Sequence, residues 1–212
     1  MAEPYGMLLA MMQPSASIEE EFQDWYDTEH IPERAAIDGF LNARRFVCLD
    51  GFPRYVAVYD MTHVGVLQEP GYLAVSGQKF SPWSKRVLQR VHGQFRAEGV
   101  QIFPGTAAFA GNGMPGRVVL VRLRGPREDQ GEAVAERLRA VCAARDDVLQ
   151  LRVWRANYAP ELCYIAMIEA EASLSKENLD LGPLGELRRQ VDLINVYVPY
   201  WRRGALHGVF GH

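Results

Sequence analysis

The 212 residues are 48% hydrophobic and 23% charged, with a net charge of −3. That balance is enough for a large apolar core and excludes a basic nucleic-acid-binding surface as the organising feature. Cys48, Cys142 and Cys163 are odd in number, far apart and outside any CxxC pair. They argue against a disulfide framework or a cysteine-rich zinc site and for a reducing, cytoplasmic setting. The apolar run Met7–Met12 lacks a basic flank, so it is not expected to be a signal peptide, and no stretch approaches the roughly 20 apolar residues of a membrane helix.

Tyr5–Met12 reads as a short buried strand that stops at Gln13-Pro14. Ser17-Ile18-Glu19-Glu20 has the spacing of a capping box and predicts a helix from Ser17. The acidic run Glu19–Glu21 is its solvated start, and Pro32 should end it near His30. After a turn at Asp38-Gly39, Phe40–Leu49 and Arg54–Met61 predict a hairpin around Gly51-Phe52-Pro53. Residues 65–77 form a weak helical pattern broken at Pro70-Gly71. Ser81 then caps a better helix, with Pro82 in its first turn and Trp83, Val87, Leu88 and Val91 at helical spacing. Gln94–Phe103 predicts the last strand of the first half.

Residues 105–116 are rich in glycine and carry little apolar periodicity, so they read as a linker. Beyond it the order repeats. Arg117–Leu123 is a strand, Asp129–Ala144 a helix with an Asp129-x-x-Glu132 cap, and Val148–Trp154 and Leu162–Ala170 are strands. Leu174–Gln190 is a helical stretch broken at Gly182-Pro183, and Leu193–Trp201 is the closing strand.

Self-similarity supports a duplication. Asp38–Arg44 lies over Asp146–Arg152 at an offset of 108, and Tyr55–Val58 lies over Tyr164–Met167 at 109. The expected fold is therefore α+β: tandem ferredoxin-like βαββαβ units, residues 1–104 and 117–212, that form an intramolecular dimeric α/β barrel. Each unit has one helix-covered and one bare sheet face, and packing the bare faces together removes them from water.

The densest set of chemically versatile residues is Trp25-Tyr26-Asp27-Thr28-Glu29-His30-Ile31-Pro32-Glu33-Arg34. At 3.6 residues per turn, Ile18, Phe22, Trp25, Tyr26 and Glu29 share one face, which puts Glu29 within an apolar stripe and His30 at its edge. At the offset of 108 the second half has Ala133, Val134, Arg137, Leu138 and Cys142 where the first has Trp25, Tyr26, Glu29, His30 and Arg34. Chemistry should therefore be confined to the first half, with the second structural.

The stretch Phe22–Phe46, with Trp25-Tyr26-x-x-Glu29-His30-x-Pro32-x-Arg34 followed by Gly39-Phe40, resembles the dimeric α/β-barrel superfamily and within it the EthD-like and related bacterial proteins. The resemblance implies a ferredoxin-like fold, barrel dimerisation, and a pocket between sheet and helices with a histidine on or after the first helix. It spans cofactor-free monooxygenases, dehydratases, decarboxylases, lactone isomerases and haem-binding branches, so it does not choose an activity.

The first expectation is a small-molecule enzyme using cofactor-independent acid–base chemistry, a lyase or dehydratase before an isomerase, on an aromatic or polyketide-like anionic substrate. His30 would move the proton, with Glu29 orienting it or acting as the second acid–base group. Arg34 would hold an anionic oxygen, Trp25 and Tyr26 would wall the pocket, and His63 and His92 would point into it. The alternatives are a non-catalytic small-molecule-binding barrel, a cofactor-free monooxygenase, or a purely structural motif. In that last reading the aromatics pack, Glu29 pairs with Arg34, and His30 answers the helix dipole. No metal is expected, because no HxxxH spacing occurs. Haem would need His30, His63 or His92. His207 and His212 look incidental. The expected partners are a small-molecule ligand and a second copy of the chain, with neither nucleic acid nor membrane.

Overall fold

Both faces of the first strand are apolar. In Gly6–Pro14 (β1), Met7, Leu9 and Met11 face one way and Leu8 the other, and all four are buried. A strand of this kind needs cover on both sides. The computed structural model describes residues 3–109, 115–158, 161–171 and 173–200. It supplies that cover by closing eight antiparallel strands into one barrel with helices outside.

The first half contains β1, α1 (Glu19–Trp25), α2 (Ile31–Ala35), β2 (Phe40–Asp50), β3 (Tyr55–Met61), α3 (Pro70–Leu73), α4 (Pro82–Leu88) and β4 (Val91–Phe103). The second contains β5 (Arg117–Arg124), α5 (Gly131–Cys142), β6 (Val148–Tyr158), β7 (Glu161–Ala170), a 3-10 stretch Gly182–Gln190 and β8 (Val191–Pro199). Around the barrel the order is β1-β3-β2-β8-β5-β7-β6-β4. Each half thus has its last strand beside its first and its third between first and second. The seams pair β2 with β8 and β4 with β6. None of the described helices is long and apolar enough to cross a membrane.

Three apolar layers follow from the alternation. The barrel interior packs Met7, Phe46, Val58, Leu120, Trp154 and Tyr197. The outer face of the first half packs Phe22, Trp25, Tyr59 and Tyr72 beneath α1 to α4. The outer face of the second packs Val119, Leu138, Tyr164 and Leu184 beneath α5 and the 3-10 stretch.

Several local expectations need correction. Ser17 does not cap a helix: it lies inside a 3-10 turn, Ala16–Ile18, and no side chain caps α1. The first helix does not stop at His30. It passes through a π-helical turn, Tyr26–His30, into α2. The wide turn changes the bonding ahead of Pro32, which has no N–H to give. Asp129-x-x-Glu132 does not cap α5; the Gln130 side chain accepts the Arg127 N–H at 2.7 Å instead. Val91 belongs to β4 and not to the α4 stripe. The predicted end of the last strand at Trp201, like His207 and His212, lies outside the described residues.

Ser81 does cap α4, its Oγ accepting the Ser84 N–H. Gly39 makes the predicted turn at φ +91, a left-handed geometry open to glycine.

Candidate active site

The π-turn determines which side chains face the core. Ile31 N–H donates to the carbonyl of Tyr26, five residues back. The extra residue shifts the phase of the apolar stripe. Trp25, Tyr26, Asp27 and His30 are all buried, whereas Glu29 is displaced to a half-buried flank. This reverses the expected order, in which Glu29 held the middle of the stripe and His30 its edge.

Glu29 is bonded to the next layer. Its Oε1 accepts from Ser81 Oγ at 2.6 Å and Ser84 Oγ at 3.0 Å. Ser84 in turn accepts from Trp25 Nε1 at 2.9 Å. The carboxylate therefore fastens the π-turn to the start of α4. The anticipated Glu29–Arg34 pair is not formed, and Arg34 meets only Glu33, at 3.6 Å.

His30 is 8% exposed, its ring centroid 4.4 Å from that of Trp25 and 5.3 Å from that of Tyr26, perpendicular to the latter. Its Nδ1 is buried without a hydrogen-bond partner. Burial, reinforced by Arg34 and Arg45, holds its pKa well below the usual histidine range, so the ring is neutral at neutral pH. Arg34 is 1% exposed and lies over Tyr72, its Cζ 5.2 Å from the ring centroid. Its Nη2 donates to the Val75 carbonyl at 3.3 Å, while Nε and Nη1 reach no acceptor. Burial pushes the Tyr26 phenol up to about 12, against the pull of Arg45 and Arg34. It raises Tyr59 as well, whose buried hydroxyl lies against the Tyr26 phenol.

Four members of this group were not picked out from the sequence. Arg45 pairs with Asp27 at 2.7 Å, and its guanidinium lies between the rings of Tyr26 and Tyr200, at 4.3 and 4.0 Å. Tyr59 and Tyr72 complete the wall. One signal existed: Arg45 stands on the same face of β2 as Ala43 and Val47, so a charge interrupts an apolar row.

His63 and His92 do not join the contacts of His30. His63 Nε2 lies 3.8 Å from Glu69. His92 is exposed and lies against Phe52, with ring centroids 6.3 Å apart. Its neighbour Val91 packs into the helix-covered layer, so alternation turns His92 the other way. In the second half, Val134 and Leu138, 108 residues beyond Tyr26 and His30, are fully buried core residues.

Among the described residues no group of three or more His, Cys, Asp or Glu side chains is placed to hold a metal ion. Haem would require an axial ligand with open space around it. His30 is enclosed by Trp25, Tyr26 and Phe80, and His63 and His92 lie outside the buried group. These donors do not fit a haem. Two clefts, about 780 and 430 Å³, share Glu128 and Arg155 and contain none of the residues gathered around His30 and Arg34.

Chemically, the group combines a neutral imidazole, a guanidinium with unused N–H groups, and phenols set among aromatic walls. Such a set suits the binding of an oxyanion and the acceptance of a proton beside it.

No family model and no curated protein matches the chain. Solved structures do. An anthrone oxidase-like protein aligns with a TM-score of 0.68 at 11% identity, covering 94% of this chain and 92% of its own. A chlorite dismutase from Candidatus Nitrospira defluvii, in complex with imidazole, aligns at 0.58 and 10% identity, covering 99% and 95%. A monooxygenase candidate from Lactobacillus acidophilus aligns at 0.53 and 10%, covering 93% and 94%. At these identities the likeness is one of fold: this chain has the dimeric α+β barrel architecture in a single polypeptide.

Proposed function

We propose that the chain is a small-molecule enzyme that abstracts a proton from an aromatic or polyketide-like substrate without a cofactor. One observation carries the reading: Arg34 is almost wholly buried with Nε and Nη1 making no hydrogen bond, and its charge acts on His30, whose Nδ1 is likewise without a partner. A buried guanidinium whose counter-charge, Glu33, stands at 3.6 Å without a hydrogen bond is only partly compensated for its desolvation. An anionic oxygen formed on the substrate offsets the remaining cost and gains hydrogen bonds at the moment of reaction.

In this mechanism His30 Nδ1 accepts the proton as a catalytic base. Neutrality makes it available, and its imidazolium form is supported by the oxyanion that the same step creates. Arg34 binds that oxyanion and Tyr59 Oη donates to it. In the free protein Trp25, Tyr26 and Phe80 close around His30, so these rings must give way for the substrate, whose own rings then face Trp25, Tyr26 and Tyr72. Glu29 acts as a positioning residue through Ser81 and Ser84. Lyase, dehydratase and isomerase outcomes all begin with this step.

A second reading, cofactor-free oxygenation, is favoured by the likeness to an anthrone oxidase-like fold. The carbanion formed by proton loss would react with dioxygen, converting anthrone and O2 into anthraquinone and water.

Anthrone, an enolisable tricyclic ketone, serves as the probe. In D2O the protein should accelerate exchange of its methylene protons, followed by NMR, and His30→Ala and Arg34→Met should abolish the acceleration. Anthraquinone formed with matching O2 uptake supports oxygenation. Saturable binding without exchange supports a non-catalytic binding barrel. Exchange unaffected by either substitution overturns the proposal.

The same reading takes the chain as a duplicated unit, supported by the shared strand order of its halves, with residues 105–116 as the linker. It also takes the protein as cytoplasmic, in keeping with three free thiols, and as a homodimer of such pseudo-dimers, which sedimentation equilibrium tests.

A further inference from the structure

Four charged side chains point into the barrel near the segment 104–109. Arg44 and Asp60 lie on β2 and β3, and Arg152 and Glu169 lie on β6 and β7. The register is the same in both halves: Arg44 lies opposite Val58 and Asn42 opposite Asp60, as Arg152 lies opposite Met167 and Gln150 opposite Glu169.

The pairing is not symmetric. Arg152, fully buried, takes both carboxylates, Asp60 at 2.7 Å and Glu169 at 2.7 Å. Arg44 takes neither, and its buried Nε reaches no acceptor. What faces it is the ring of Phe109, 6.0 Å from Cζ. Trp154, also fully buried, lies 4.9 Å from Arg152 Cζ and leaves Nε1 without an acceptor.

Phe109 comes from the connection between the halves. Its ring lies 4.2 Å from Arg152 Cζ and 5.7 Å from the Phe46 ring, and its N–H donates to Asp60 Oδ2 at 3.2 Å. Side chains from the barrel hold the segment in place: Gln101 Oε1 accepts the Gly105 and Ala107 N–H groups at 3.1 and 2.8 Å, and Gln150 Nε2 donates to the Ala108 carbonyl at 2.7 Å. The end of the barrel thus contains an aromatic slot filled from within, an uncompensated guanidinium and an unused indole donor.

We propose that this barrel end is a second binding site, for a small aromatic carboxylate, and that Phe109 occupies its ring position in the free protein. The ligand ring replaces Phe109 against Phe46 and Arg152, and its carboxylate pairs with Arg44. An unpaired, partly buried guanidinium gains most from such a partner. The site is separate from the His30 group. Arg44 and Arg45 are neighbours on β2 and point to opposite faces of the sheet, so the two sites stand back to back.

Calorimetric titration with benzoate, and with neutral benzyl alcohol, tests the proposal on the full chain. Phe109→Ala should bind benzoate at least about tenfold more tightly than wild type, a difference of about 1.4 kcal/mol. Adding Arg44→Gln should remove that gain, Arg34→Met should leave it intact, and benzyl alcohol should show no comparable gain. The proposal is overturned by a Phe109→Ala protein without the gain, by an equal gain for benzyl alcohol, or by a gain that survives Arg44→Gln. A gain lost with Arg34→Met also overturns it, since benzoate would then occupy the His30 group. If Phe109→Ala does not fold, Phe109→Leu keeps the apolar contact with Phe46. Its melting temperature should rise with benzoate more than that of wild type, and an equal rise overturns the proposal.

Discussion

Asp27 and Arg45 form an ion pair of 2.7 Å with both side chains only 2% exposed. The π-turn brings Asp27 inward, β2 supplies Arg45, and Gln23 accepts a further hydrogen bond from the same guanidinium. The pair joins the first helix to the sheet beneath the candidate site. Removing one charge leaves the other buried without compensation, so Asp27→Leu should destabilise the protein by about 3–5 kcal/mol in urea unfolding. Asp27→Leu with Arg45→Met should cost less than that single change, because both charges go together. A double variant as unstable as the sum of the singles would show that the pair is not coupled.

The buried imidazole of His30 gives stability a pH dependence of definite sign. Its folded pKa lies well below 6.5, with burial the largest cause and Arg34 and Arg45 adding to it. Between that value and about 6.5 the unfolded chain binds a proton that the native protein refuses. Stability should therefore fall as pH drops below about 6.5, by at most about 1.4 kcal/mol per pH unit from this group. The loss should level off once pH passes the folded pKa. Urea unfolding of wild type and His30→Gln from pH 8 to 5 isolates the effect: the variant should show a shallower dependence. Parallel curves would place His30 in water.

Much of the architecture could be read from alternation and self-similarity. Met7, Leu9 and Met11 against Leu8 mark a strand covered on both sides, and the Asp38–Arg44 and Tyr55–Val58 matches align the strands that the barrel places equivalently. His30 and Arg34 were legible as rare ionisable residues on an aromatic helix. Their orientation was not, because a π-turn changes the helical phase and its hydrogen bonding leaves no mark in a 3.6-residue pattern. The Asp27–Arg45 pair depends on contact between a helix and a strand that no local spacing encodes. The role of Phe109 was hidden for a similar reason: a glycine-rich connection reads as a spacer until the partners of its single aromatic residue are known.

Glu29 tests the difference between chemistry and attachment. It accepts from Ser81 and Ser84 and so ties the π-turn to α4. Glu29→Ala should lower stability by about 1.5–3 kcal/mol, the range for hydrogen bonds to a charged group. Ser81→Ala with Ser84→Ala should lower it comparably. Anthrone exchange should persist in Glu29→Ala at a temperature where the variant is folded, with an unchanged pH profile. Loss of exchange without loss of stability would make Glu29 an acid–base group in its own right.

Arg34 should show the opposite balance. Its guanidinium is 1% exposed, stacks on Tyr72 and leaves two nitrogens unused. In the free protein it is a burden: its desolvation is met by one carbonyl at 3.3 Å and by Glu33 at 3.6 Å. Arg34→Met keeps most of the apolar stem and removes the charge. It should raise the melting temperature or leave it unchanged, whereas deletion of a well-paired buried charge would lower it sharply. The same substitution should abolish anthrone exchange. Arg34→Lys should restore part of it, because an ammonium supplies charge without the planar fork. A protein that melts much lower as Arg34→Met would show the guanidinium to be a structural brace, and the oxyanion site would then have to lie elsewhere.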